Sequence, residues 1–379
     1  LGLPYPNITL GSPYLFLPMV FFMIYFLLSI NNLNVLLQIN SIKELFWPIL
    51  FLWLIFLISS LLNYVPIYLP IMRSVLQRLI IYFIFFIMVY NELKNDSQLQ
   101  LIIQRTMVFS IILMGFFYFT GIGVEYNDGR LTFFKTNANI IGVLAATMIV
   151  MSIDLILIQK AKGFNLLYLI TAMVLAFTIM TLTGSRKAIL MLGVGIFVYY
   201  ILLNRSIQYK LIGLVPIILI GFIAYKNIMS NELIQERINT ELTRRDFGGR
   251  LPIWEATVDI VKSHPIMGVG VGEFSEQIIR RLGYLKVTHN EFLTVLAYGG
   301  FLGLIFFIFF LAAFARKTLL FLRIKNSSFS SLPFSLLIML IIFLATAGGA
   351  LTEFFSWFIF AFIAAKSEKS PQVDSEEED

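Results

Sequence analysis

His289 stands in Thr288-His289-Asn290-Glu291, directly ahead of an apolar run broken by Gly299, Gly300 and Gly303. Thr288 and Glu291 have the Ser/Thr-x-x-Glu spacing of a capping box, which predicts that a polar loop ends and a membrane helix begins here. An imidazole at such a helix mouth meets the partial positive charge of the N-terminus, which disfavours its protonated form. A neutral ring that can accept a proton is what a general base requires.

Arg186 and Lys187 follow Thr183-Gly184-Ser185, a tight turn between two apolar runs, with Ser185 placed to cap the second. Two cations at a helix N-terminus oppose the helix dipole, and an external turn is where Lys and Arg are depleted, so an anion is expected to visit them. Interfacial snorkelling is the plainer alternative. Arg250 follows Gly248 and Gly249, where flexible backbone lets its guanidinium swing to a ligand and offer phosphate a planar pair of donors. Its plainer alternative is a salt bridge to Asp246 or Glu255. The supporting polar candidates are Arg73, Arg78, Arg130, Lys187, Asn290 and Glu353. Arg73 and Arg78 lie toward the outer end of one apolar run, and the deeper Arg78 is expected to face into a bundle rather than lipid. Arg130 and Lys135 precede Asn137 and Asn139, within reach of a polar substrate. Glu353 marks a break in the last apolar block, as a second carboxylate or a helix cap.

The elements that must position these groups follow from composition. Of 379 residues 59% are hydrophobic and 13% charged, and Phe alone numbers 38. Repeated apolar runs of roughly 18 residues or more mark a polytopic helical membrane protein, and the short alternating segments of a β-barrel are absent from the sequence. The fold class is therefore all-α, a transmembrane helical bundle. There is no cysteine and there are two histidines, His264 and His289, so thiolate and His-rich metal sites are excluded; no metal and no cofactor is expected. The net charge of +6 fits basic cytoplasmic loops, and the sequence lacks the interleaved basic and aromatic residues of a nucleic-acid-binding surface. The run from Gly268 through Gly270 to Gly272 follows no strand, so it reads as a close-packed bend returning a loop to the membrane and not as a nucleotide-binding turn.

Apolar segments fall at 13–30, 46–62, 69–90, 105–123, 139–158, 165–183, 188–204, 211–225 and 292–315, followed by a block at 333–365 that Gly348, Gly349, Thr352 and Glu353 divide into two short passes. That makes about eleven passes, or about twelve with one upstream of the initial Leu1. The first run is long enough to span and lacks a basic flank, so it reads as a pass and not a cleavable signal. Cations without acids at Lys160 and Lys162, at Arg205 and Lys210, and at Arg316, Lys317, Arg323 and Lys325 place those loops in the cytoplasm. By parity the loops at 124–138, 184–187 and 226–291 lie outside. The domain organisation is then membrane helices over 1–225, an external catalytic loop over 226–291, C-terminal membrane helices over 292–365, and an acidic cytoplasmic tail at 366–379 that is expected to be disordered. In the external loop 231–245 reads as an amphipathic surface helix, and a second helix starts at Pro252, presents Ile253, Trp254, Thr257 and Val261 on one face, and ends at His264 and Pro265.

Gly184-Ser185-Arg186, Gly249-Arg250 with Trp254, His264-Pro265 with Gly268-Val-Gly270, and His289-Asn290 followed by Gly300-x-x-Gly303 resemble the O-antigen ligase and O-antigen polymerase family, most specifically over 184–303. The resemblance implies a metal-independent glycosyltransferase of the bacterial inner membrane, with its active site facing the periplasm or cell exterior. Its donor would be a saccharide on undecaprenyl diphosphate, and its acceptor a hydroxyl of lipid A core or of another lipid-linked repeat. Arg186 and Arg250 would contact the diphosphate, and His289 would be the catalytic base or the group that orients the acceptor. Two external guanidiniums suit the developing charge of a diphosphate leaving group, and an inverting single displacement is expected.

A teichoic-acid-like or protein-glycosylating ligase would share the donor chemistry. A flippase or transporter of the same lipid-linked oligosaccharide would instead need charges along a midplane path and internal repeats. A cell-wall polymerase would favour an essential external carboxylate over this His and Arg set.

Overall fold

The structure, a computed structural model, describes residues 37–127, 129–203, 249–323 and 330–368. The expected passes at 13–30 and 211–225, the surface helix at 231–245 and the tail beyond 368 lie outside the described residues. Eleven α-helices are found among the described residues: α1 (Lys43–Leu62), α2 (Leu69–Leu93), α3 (Ser97–Thr120), α4 (Ala138–Leu157), α5 (Gly163–Leu182), α6 (Arg186–Leu202), α7 (Leu251–Ser263), α8 (Gly270–Leu282), α9 (Glu291–Leu322), α10 (Leu332–Thr346) and α11 (Phe354–Lys366). Six of them, α1, α2, α3, α4, α5 and α9, are long and apolar enough to cross a membrane, and α10 and α11 are shorter apolar helices. Helix is the form that lets such segments satisfy every backbone amide internally where no water is at hand.

The chain divides into two compact units, one holding 102–192 and the other holding 37–101 together with the described residues from 193 onward. In the first, α4 packs along α5. Asn137 starts α4 as a true cap, its side chain accepting the Asn139 N–H at 2.9 Å. Between α3 and α4 the all-α expectation needs a correction. Val124–Asn127 and Arg130–Phe133 pair as an antiparallel hairpin, β1 and β2, with Asn127 opposite Arg130 and Val124 opposite Phe133. The pairing buries Leu131 and Phe133 against Ile141 and Ile179. An Asp-Gly pair flanked by strand-forming residues is a strong local hairpin signal, and Gly129 takes the positive φ (71°) that such a turn demands.

In the second unit α9 packs against α1, and α2 against α11. Phe86, Phe310, Phe314 and Phe360 close around Trp357, all of them fully buried. The indole N–H of Trp357 donates to the Leu351 carbonyl at 2.7 Å, so the ring is packed without an unmet donor.

α9 is broken at Gly300 (φ 61°, ψ −160°), a backbone state open essentially to glycine alone. The 265–269 segment fills the break. Phe301 N–H donates to Pro265 O at 2.8 Å, Leu302 N–H to Ile266 O at 3.1 Å, and Val269 N–H to Ala297 O at 2.9 Å. The loop thus satisfies groups that the interrupted helix leaves free. A Cβ on Gly300 would lie 2.3 Å from Ile266 O, and one on Gly268 2.4 Å from Ala297 O. The two glycine motifs are therefore two sides of one backbone contact.

Gly270 to Gly272 do more than close a bend, because they open α8, a helix the sequence reading did not place. Phe274, Ser275 and Ile278 face the core from it, and Gly283 ends it in the left-handed conformation (φ 78°). α7 buries Ile253, Thr257 and Val261 of its expected face, along with Ala256 and Ile260, while Trp254 is half-buried. The last apolar block does divide where expected: α10 and α11 are separated by a 3-10 turn, Ala350–Thr352, that follows Gly349 in the left-handed conformation.

Candidate active site

His289 sits on the turn that delivers the chain into α9, and the turn is fixed from three directions within the second unit. From α7, the Trp254 indole N–H donates to the Thr288 carbonyl at 2.7 Å. From α9 itself, the hydroxyls of Thr288 and Thr294 lie 2.6 Å apart and within 2.9 and 3.0 Å of the Asn290 carbonyl. From the break between α10 and α11, Gly348 comes so close that a Cβ there would lie 2.8 Å from His289 N. His289 takes a left-handed backbone (φ 53°), a conformation that costs a non-glycine residue and persists where the surroundings over-determine it. Its side chain is half-buried.

The expected capping box does not form. Asn290 is the cap, its side chain accepting the Leu293 N–H at 3.2 Å. Glu291 is already helical, only 3% exposed, and its carboxylate accepts the Ala350 N–H at 2.8 Å, with the amides of Gly349 and Leu351 also directed at it. Three converging amides of a left-handed turn satisfy a buried carboxylate better than the one backbone N–H a capping box would offer. Glu291 thus ties the His289 turn to the break at 348–353 and is committed to that tie.

Arg250 is half-buried at the start of α7, where its carbonyl accepts the Trp254 N–H at 2.9 Å. The 249–254 and 286–288 segments run side by side, joined by Lys286 Nζ donating to Gly249 O at 3.4 Å and by the Trp254 bond to Thr288. These two bonds tie the start of α7, which Arg250 precedes, to the turn that carries His289. Glu353, half-buried at the start of α11, lies within electrostatic reach of Glu291, and it shares the neighbourhood of Tyr82 with Arg78. Arg78 is half-buried, in keeping with a cation that avoids lipid. Arg73 is exposed and makes no hydrogen bond or ion pair among the described residues, and nothing draws it into this cluster.

In the first unit the polar candidates also gather. Arg130 donates through Nε to the Thr183 carbonyl at 2.8 Å and through Nη2 to Asn139 Oδ1 at 2.7 Å. It therefore clamps the hairpin and the start of α4 to the turn that carries Arg186 and Lys187. That use of the guanidinium makes Arg130 an organiser of the rim. Arg186 is exposed at the first position of α6, and Lys187 is half-buried beside it. Lys135 is exposed and also has a positive φ (60°). Ser185 is in the capping position, its carbonyl accepting the Ala188 N–H at 3.0 Å, but its buried hydroxyl makes no hydrogen bond. The side-chain cap expected there is absent, because Ser185 packs inward against the Gly142 face of α4.

Residues 171–308 match the O-antigen ligase family model. The matched stretch runs from within α5 to within α9 and takes in Arg186, Lys187, Arg250, His289 and Asn290 together with Gly300 and Gly303. Arg73, Arg78, Arg130 and Glu353 fall outside it. No curated protein matches the chain. The apolar helices mark a multi-pass membrane protein, and the O-antigen ligase match over 171–308 points to a role in polysaccharide biosynthesis. They also bear out the resemblance drawn from the glycine, arginine and histidine motifs.

Two contributors to the site were not assigned in sequence. Trp254 was legible as one member of a helix face and as part of the Gly249-Arg250 motif, but its hydrogen bond to Thr288 depends on how α7 folds back. Gly348 and Gly349 were legible as a helix break, but not as the surface on which the His289 turn rests.

Proposed function

We propose that the protein is an integral membrane glycosyltransferase that moves a saccharide chain from an undecaprenyl diphosphate carrier to a hydroxyl acceptor at the outer face of the bacterial inner membrane. The observation that carries this reading is the His289 turn: a half-buried imidazole on a constrained backbone at a helix N-terminus, tied through Thr288 and Trp254 to the helix that Arg250 opens. In the proposed step the acceptor oxygen bonds to the anomeric carbon, and the bond from that carbon to the diphosphate oxygen breaks. The acceptor proton passes to His289, and the charge released on the diphosphate is met by Arg250. Arg78, Asn290 and Glu353 are proposed to line the polar region around it, and Arg186 and Lys187 are separately proposed to meet an anion at the start of α6; the apolar helices would accommodate the prenyl chain. The acid-free cations of Lys160 and Lys162 support an orientation with that loop in the cytoplasm.

Reconstitution of the full chain in proteoliposomes with an undecaprenyl-diphosphate-linked saccharide and a lipid-linked acceptor tests this reading. The expected products are the acceptor-linked glycan and free undecaprenyl diphosphate. Donor that crosses the bilayer while no glycosidic bond forms would make the protein a flippase and refute the proposal.

A further inference from the structure

At the opposite end of α4 and α5 from the Arg130 clamp, the loop joining the two helices roofs a second polar site. Arg105, Gln159, Lys160, Lys162, Asn165 and Tyr168 line an open pocket of about 250 Å³ floored by Leu155 and Leu169. No Asp or Glu lines it, and Arg105, Lys160 and Lys162 make no ion pair among the described residues. Lys160 and Lys162 follow the C-terminus of α4, where cations are favoured by the helix dipole. Arg105 has no such excuse. It is exposed on α3 at the first residue of the 105–123 apolar run, level with the loop that carries Lys160 and Lys162, where a guanidinium beside lipid favours an anionic partner. The Tyr168 hydroxyl donates to the Arg105 carbonyl at 3.2 Å and so holds α5 against α3 at the pocket wall.

Apolar side chains flank this cationic pocket on the faces turned away from the protein: Phe164 is 83% exposed, Leu167 61% and Ile102 56%. A free anion would need the cations alone. A molecule with a phosphate head and acyl chains would use both the cations and the apolar flank. We infer that this pocket binds the phosphate headgroup of an anionic phospholipid, in the leaflet opposite the rim that carries Arg130 and Arg186. Basic pockets between membrane helices recognise such headgroups by charge, with Arg as a forked donor and Lys as a point charge. The inference stands apart from the glycosyl-transfer reading, since none of its residues takes part in that chemistry.

Native mass spectrometry of the full chain in detergent, with phosphatidylglycerol or phosphatidylcholine added at equal concentration, tests it. Phosphatidylglycerol should be retained and phosphatidylcholine lost. Lys160→Gln, Lys162→Gln and Arg105→Gln should each weaken retention by about fivefold, the factor expected for one interfacial cation, and the triple variant should weaken it further. Arg280→Gln, on α8 in the other unit, should change nothing, and Lys162→Arg should retain the lipid, which separates loss of charge from loss of fold. Should the triple variant fold poorly, Lys162→Gln alone on the exposed loop still carries the fivefold expectation. Equal retention of phosphatidylcholine, undiminished phosphatidylglycerol in the neutralised variants, or full displacement of the lipid by millimolar inorganic phosphate would each overturn the inference.

Discussion

His289→Asn is expected to lower kcat for glycan transfer by about 10²- to 10⁴-fold, the range a positioned general base supplies, while donor affinity stays within a few-fold of the wild type. Asparagine is the informative replacement, because it tolerates the left-handed backbone that His289 adopts (φ 53°) and keeps a polar side chain at the mouth of α9. Alanine would remove the imidazole and add backbone strain, so that activity and folding would fall together. The turn is anchored by Trp254, Thr294 and Gly348, and these anchors are kept in the asparagine variant, which should therefore unfold near the wild-type temperature. Steady-state transfer assays paired with thermal unfolding of the same preparations check this. Near wild-type kcat in a folded His289→Asn protein would remove His289 from the chemistry.

Arg250→Ala should cost about 10²- to 10³-fold in turnover, as expected for deleting one donor to a developing oxyanion, and Arg250→Lys should recover only part of it. A lysine restores the charge without the planar pair of donors that fits two phosphate oxygens. Either variant keeps the hydrogen bond that starts α7, because the Trp254 N–H donates to the Arg250 carbonyl and the side chain does not cap the helix. A cation at a helix N-terminus is also unfavourable for the helix itself, so its removal carries no folding penalty from the dipole. Binding of undecaprenyl diphosphate to detergent-purified variants, measured beside turnover, separates loss of leaving-group stabilisation from loss of fold. A folded Arg250→Ala protein with unchanged turnover and unchanged diphosphate binding would end the assignment.

The helical segments were legible in the sequence because hydropathy in lipid is a long, additive signal. The runs at 46–62, 139–158 and 165–183 lie within a few residues of α1, α4 and α5. The hairpin at 124–133 was missed because an element of two short strands has no such average, although Asp-Gly marked its turn. α8 is obscured in the sequence because it opens on two glycines, which disfavour helix, although Phe274, Ile278 and Leu282 stand at helical spacing. The site shows the same division. His289 at a helix entrance and Arg250 ahead of Pro252 follow from local pattern, and both are where pattern puts them. Glu291 illustrates the opposite case, since its spacing from Thr288 promised a cap and a tertiary contact 59 residues away claimed the carboxylate instead. Local rules name what a side chain can do, and a buried group goes to whichever partner satisfies it most fully.

The anomeric configuration of the new linkage tests the central claim most directly. Nuclear magnetic resonance of the glycan formed by the purified protein from a donor of known configuration should show inversion, as a single displacement by an acceptor deprotonated at His289 requires. Retention of the donor's configuration would mean two displacements through a glycosyl-enzyme intermediate, and would contradict the account.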